Sequence, residues 1–123
     1  MITTVKFSSL ILCTVSPWYR PHVVAHRGLH DVHRAENFLG AVHAALDAGI
    51  SHVAVDVRRA RDGVLLLLHD ATLDRTTTSS SLLASRLASD LDAVRLLDGS
   101  AMPPLVEVLA LCRDRIVVCA DVK

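Results

Sequence analysis

Apolar and polar positions fall into short blocks along the chain, and each block predicts an element. Val23, Val24 and Ala25 form a brief apolar run closed by His26, Arg27 and Gly28, the pattern of a buried strand that runs out into a polar loop. Phe38, Val42, Ala45 and Leu46 then recur at helical spacing, with Asn37 placed to cap the helix and Gly49 to end it in the left-handed conformation. Val53-Ala54-Val55-Asp56-Val57 alternates as a strand does, and after Arg61-Asp62-Gly63 a second apolar run, Val64 to Leu68, ends at His69 and Asp70. A parallel crossover needs about a dozen residues, more than this gap holds, so the two runs predict an antiparallel hairpin turning at Asp62-Gly63. With those two residues as the loop, Arg61 pairs with Val64 and Asp56 falls opposite His69 on one face.

Thr76 to Ser81, threonines followed by serines without a glycine, read as a surface connector. Ser89 and Asp92 precede a short helical pattern through Leu97 that Gly99 closes, and Pro103-Pro104 opens another helix with Leu105, Val108, Leu109 and Cys112 on one stripe. A last apolar run, Ile116 to Ala120, ends in Asp121-Val122-Lys123. Residues 1–21 carry no clear period and end in Pro17 and Pro21, so they read as a lead segment before a domain over residues 22–123.

Composition narrows the function classes. With 123 residues, 51% of them hydrophobic, the chain suffices for one modest globular domain and is too apolar to be disordered. Thirteen basic residues balance thirteen acidic ones, which argues against a nucleic-acid or anionic-membrane surface working through bulk charge. Aromatics, at 3%, are too few for a base-stacking platform. Cys13, Cys112 and Cys119 form no C-x-x-C pair, and a reduced, cytoplasmic chain is the expected setting. The apolar stretch from Phe7 to Val15 is too short and too interrupted to span a membrane, and Lys6 before it only weakly imitates an export signal.

Ionisable residues gather where the apolar strands run out: His26 and Arg27, Asp56, His69 and Asp70, then Asp121 and Lys123. Barrels of the (β/α) kind build their sites in this way, from the carboxyl ends of several strands at once. The chain also carries, in order, His26-Arg27-Gly28, Glu36-Asn37, Asp56, Asp62-Gly63, His69-Asp70, Leu73-Asp74-Arg75-Thr76-Thr77, Pro104-Leu105 and Asp121-Val122-Lys123. In this combination it resembles the glycerophosphodiester phosphodiesterase family. The resemblance implies an α/β fold, an incomplete TIM-type (β/α) barrel amounting to roughly its first half. It implies metal-dependent hydrolysis of a small-molecule glycerophosphodiester to glycerol 3-phosphate and an alcohol. His26 and His69 would be the acid and base, Arg27 and Lys123 would hold the phosphate, and Asp56 and Asp121 would hold a divalent cation, Mg, Ca or Mn.

The departures from that family's pattern carry equal weight. The family places a Glu-x-Asp pair on one strand; here Ala54 replaces the glutamate, so a carboxylate that would share a face with Asp56 is missing and the cation is expected to bind weakly, if at all. Asp121 stands one methylene shorter than the family's glutamate, and Ala35 replaces the usual proline before Glu36. A complete barrel takes about 250 residues, so open edges and self-association are expected of a half. The alternative class is a non-catalytic remnant that binds a phosphorylated ligand or a protein partner. The spider sphingomyelinase D type has a similar barrel but lacks the Leu73 to Thr77 stretch. His22, His26, His30 and His33 imitate a zinc-binding helix face, yet the apolar run and Gly28 favour strand then loop. His43 and His52 read as ordinary half-exposed residues, and Arg58, Arg59 and Arg61 as a solvated hairpin end.

Overall fold

A computed structural model describes the backbone of residues 3–7 and 10–14 and all of residues 22–123. Its centre is β4 (His52–Arg59), where alternation divides the strand into two faces. Val53, Val55 and Val57 are buried on one side, against Val42 and Ala45 of helix α1 (Leu39–Asp47) and Val108 and Cys112 of helix α3 (Leu105–Cys112). The other face carries Ala54, Asp56 and Arg58. The Asp56 carboxylate is therefore placed by its neighbours: three valines drive their side of the strand into the core and turn Asp56 to the opposite side.

Three strands meet β4. Strand β3 (His22–His26) runs parallel to it, with His26 beside Ala54, and β6 (Val117–Val122) runs parallel on the other edge, with Cys119 beside Ala54 and Asp121 beside Asp56. The short β5 (Leu65–Leu67) returns antiparallel from the hairpin and takes the edge of β4 beyond the end of β3. Parallel strands joined through helices, with polar residues at their carboxyl ends, match the expected barrel layering. The sheet stays open, in the order β1 (Thr3–Phe7), β2 (Leu10–Thr14), β3, β4, β5, with β6 on β4. Leu66, Leu68, Leu73, Leu83, Leu91 and Met102 make a second apolar cluster under the connection between β5 and α3.

The hairpin corrects the expected register. Val57 pairs with Leu67 and Arg59 with Leu65, so Asp56 lies opposite Leu68, whose N–H donates to its carbonyl at 3.1 Å, and not opposite His69. The loop holds three residues instead of two. Gly63, at φ 91, takes the left-handed position after a turn closed by its N–H to Ala60 O, and this extra residue shifts the ladder by one.

Other boundaries also moved. Asn37 does not cap α1; the cap position is Phe38, with no side-chain hydrogen bond, because the Asn37 side chain is turned to Asp56. Gly49 does end the helix at φ 71. The helix expected between Ser89 and Leu97 is one turn, α2 (Ala88–Leu91), after which the chain turns through Gly99. Thr77, within the connector read as surface, is buried with its hydroxyl donating to Leu73 O at 2.7 Å. His22 and His26 lie on a strand, which removes the helical zinc face. Residues 1–21, read as lacking a period, hold strands β1 (Thr3–Phe7) and β2 (Leu10–Thr14), and β2 pairs antiparallel with β3. The expectations for Cys13 and Lys6 concern side chains outside the described residues.

Candidate active site

The chain leaves β3 through two left-handed residues, Arg27 at φ 59 and Gly28 at φ 78. Glycine is required at the second, since a Cβ there would stand 2.6 Å from the Ala41 Cβ on α1. The tight turn leaves the Arg27 N–H on Ala54 O at 2.7 Å and sets its guanidinium between two carboxylates. Arg27 Nη1 donates to Glu36 at 3.1 and 3.2 Å, and Nε lies 3.0 Å from Asp56 Oδ2. That Nε–H is not aimed at the carboxylate, so among the described residues it is a buried donor without a hydrogen bond.

Asp56 is buried, and Asn37 is the reason it can be. Its Nδ2 donates to Asp56 Oδ2 at 3.0 Å while its Oδ1 accepts the Asp56 N–H at 2.9 Å. The second bond fills a gap in the sheet. The carbonyl of Ala54 takes the Arg27 N–H at the end of β3 and that of Asp56 takes the Leu68 N–H after β5, so the intervening N–H on this edge would have no strand to bond. Asn37 supplies the missing acceptor, from a left-handed backbone at φ 53 that asparagine tolerates well.

From the other edge comes Lys123, whose Nζ lies 2.7 Å from Asp121 Oδ2 and 3.6 Å from Asp56 Oδ1. The hydrogen bond to Asp121 raises the lysine's pKa and lowers that of Asp121. A cavity of about 250 Å³ opens here, lined by His26, Arg27, Ala54, Val55, Asp56 and Asp121. A larger cleft of about 450 Å³, lined by residues 31–36, Thr76 and Leu97-Asp98, touches the cluster through Glu36 and gathers none of the strand ends.

His69 does not line that cavity. It sits just past β5, with its carbonyl accepting Arg58 Nε at 2.9 Å and its Nδ1 2.6 Å from Asp70 Oδ1. Asp70 is bound in turn by Arg75 at 2.6 Å, and Arg75 reaches Glu36 at 2.6 Å. Hydrogen bonds from Arg75 and then His69 hold the Asp70 carboxyl well below the usual range. Burial works against ionisation of Glu36, but the hydrogen bond from Arg75 and the charge of Arg27 more than offset it, and its pKa is lowered. An unbroken run of alternating charge thus links Lys123, Asp56, Arg27, Glu36, Arg75 and Asp70, and Asp70 connects it to the His69 ring. The sequence pattern holds Glu36, Asp70 and Arg75 inside motifs without a role for any of them, and assigns Asn37 to a helix cap; their motif positions are the only signal of a place in this site.

Comparison with known proteins agrees with this geometry. The model of the glycerophosphoryl diester phosphodiesterase family matches residues 26–119. The chain belongs to this family. The glycerophosphodiester phosphodiesterase of Caldanaerobacter subterraneus subsp. tengcongensis is 31% identical over 103 residues, 76% of this chain and 41% of that protein. The mouse glycerophosphodiester phosphodiesterase 1 is 33% identical over 126 residues, 91% of this chain and 37% of that one. The crystal structure of a glycerophosphodiester phosphodiesterase from Agrobacterium tumefaciens superposes with a TM-score of 0.75 at 34% identity, covering 80% of this chain and 45% of that one. An Oleispira antarctica phosphodiesterase in complex with its product sn-glycerol-3-phosphate also gives 0.75, at 26% identity, covering 81% and 43%. This glycerophosphoryl diester phosphodiesterase family member therefore has part of a TIM-type barrel and spans under half the length of these relatives.

A divalent cation is the group the family resemblance implies, and the donors present do not fit it. Asp56 and Asp121 share a face in register, but Ala54 offers only a methyl group on that face. Asp56 Oδ2 is already engaged by Asn37 and Arg27, and Oδ1 faces Lys123. Among the described residues no three His, Cys, Asp or Glu side chains form a metal-holding group. Calcium takes six to eight oxygens and magnesium a near-octahedral set; two carboxylates already neutralised by two fixed cations fall short of either. Among the described residues, no helix is long and apolar enough to cross a membrane.

Proposed function

We propose that this site binds and hydrolyses a glycerophosphodiester, giving glycerol 3-phosphate and an alcohol. The observation that carries the reading is the meeting of Arg27 and Lys123 around buried Asp56 at the mouth of a cavity that also contains His26. A phosphodiester brings one negative charge on two non-bridging oxygens, and two cations with unsatisfied donor capacity are the complement it needs. The product named in the Oleispira complex supports a ligand of this class.

In the reaction, water adds an oxygen to phosphorus and the bond from phosphorus to the alcohol oxygen breaks. One histidine of the pair His26 and His69 takes the proton from the water, and the other gives a proton to the departing oxygen. Asp70 on Nδ1 fixes the His69 ring and leaves Nε2 for proton transfer. Arg27 and Lys123 stabilise charge on the non-bridging oxygens, and Asp56 and Glu36 hold Arg27 in place. Asp56 and Asp121, the two carboxylates the family resemblance gives to a cation, are engaged by Arg27, Asn37 and Lys123 and have Ala54 beside them, so turnover is low. The test is release of glycerol 3-phosphate from glycerophosphocholine with magnesium, manganese or calcium. Slow release is expected from the chain, with a loss of about 10²-fold or more in His26→Ala and in His69→Ala. Absence of release with all three cations, or release unaffected by both substitutions, would set the reading aside.

A further inference from the structure

We infer that the site extends into a second anion-binding pocket, and that the preferred substrate carries an additional anionic group, a carboxylate or a phosphate, on its alcohol half. This rests on the hydrolytic reading above and deepens it. A cavity of about 230 Å³ shares Lys123 with the candidate site and is lined besides by Arg58, Arg59, Ala71 and residues 82–84. None of its lining residues is acidic.

The geometry makes this more than a solvated basic run. Arg58 follows Asp56 by two residues on β4 and so points to the same face, while Lys123, whose N–H bonds Val57 O, extends the row of Asp121. Arg58 is anchored through Nε to the His69 carbonyl, which leaves its two terminal nitrogens for another acceptor. Arg59 has no side-chain hydrogen bond or ion pair among the described residues. The other cations of this region have carboxylates: Arg27 has Glu36 and Asp56, Arg75 has Glu36 and Asp70, and Lys123 has Asp121 at 2.7 Å. An unpaired arginine, a half-used one and a lysine around a cavity walled by Ala71, Leu82, Leu83 and Ala84 suit a small anionic group on a short carbon stem. Lys123 belongs to both places, since its Nζ is 3.6 Å from Asp56 Oδ1. An anion in the second pocket is thus one side chain away from a phosphodiester held at Arg27.

Glycerophosphoserine and glycerophosphoethanolamine differ by one carboxylate, and titration calorimetry of the whole chain with each measures what that group contributes. Glycerophosphoserine should bind about tenfold more tightly. Arg59→Ala should abolish that preference and leave glycerophosphoethanolamine unchanged, whereas Arg61→Ala, on the hairpin loop outside the cavity, should leave the preference intact. Equal affinities, a preference that survives Arg59→Ala, or one that falls as much in Arg61→Ala would overturn the proposal. If neither diester binds, the hydrolytic reading fails on its own. Inorganic phosphate followed by the arginine Hε resonances then decides the pocket: a shift at Arg59 upholds it as a site for free anions, and no shift overturns it.

Discussion

Replacing Asn37 isolates what allows a carboxylate to be buried at the end of β4. Its side chain makes two buried hydrogen bonds to Asp56, one to the carboxylate at 3.0 Å and one from the backbone N–H at 2.9 Å, and its backbone is left-handed at φ 53. In Asn37→Gly the backbone stays relaxed and only the two bonds go. A buried group left without its partner costs about 1–3 kcal/mol, and Asp56 keeps Arg27 and Lys123, so a loss of about 2–4 kcal/mol is expected. That is a fall of roughly 10 °C in Tm for a domain of this size. Asn37→Ala should cost about 1 kcal/mol more, because alanine pays for the left-handed conformation. Asn37→Asp keeps the acceptor for the N–H but replaces the donor to Asp56 with a second carboxylate, and the repulsion should make it less stable than the parent. Urea unfolding followed by far-ultraviolet circular dichroism gives all three values. A change within about 0.5 kcal/mol of the parent in Asn37→Gly, or an alanine variant no worse than the glycine one, would refute the argument that Asn37 completes the sheet here.

Ala54→Glu should tighten calcium or manganese binding, because the new carboxylate shares a face with Asp56 and lies beside the row of Asp121; calorimetry showing equal affinity in both forms would mean that residue 54 does not reach a cation. Acid should destabilise the protein through Asp70 and Glu36. Both have folded pKa values below their unfolded ones, so their contribution is present above about pH 4.5 and is lost as pH falls through the folded values; the acid limb should flatten in Arg75→Ala. Self-association is expected from the open sheet and the exposed Val117 and Val122 of β6, and light scattering that shows a monomer at high concentration would count against it.

How much could be read from the sequence depended on whether a feature was local. The strand ending in His26-Arg27-Gly28, the helix ending at Gly49 and the hairpin about Asp62-Gly63 each rest on nearby residues, and each is present. The register was misjudged because Asp-Gly fits both a two-residue turn and the last two places of a three-residue loop, and only the cross-strand ladder distinguishes them. Asn37 looked like a helix cap because that is its common local use; its partner is 19 residues away, and pattern along the chain carries no trace of it. Arg75 likewise sits in a motif of adjacent residues yet works by joining Glu36 to Asp70 across the mouth of the site. Alternation along β4 is local, and it places Ala54 and Asp56 on one face as the sequence pattern implies.

The central position of β4 has a consequence for the order in which the molecule comes together. Its hairpin partner β5 is reached after residues 60–64, but β6 only after residues 60–116. Loop-closure entropy grows with the logarithm of length, so the second pairing costs about 2 kcal/mol more to initiate than the first. The hairpin can therefore form early, as a local event, while Asp56 still faces water without Lys123. Docking of β6 adds Asp121 and the lysine together, so the charged cluster closes in one late step of assembly. During synthesis the Asp56 carboxylate is consequently made long before Asp121 and Lys123, and because those two arrive together with opposite charges, the late step completes the cluster without changing its net charge.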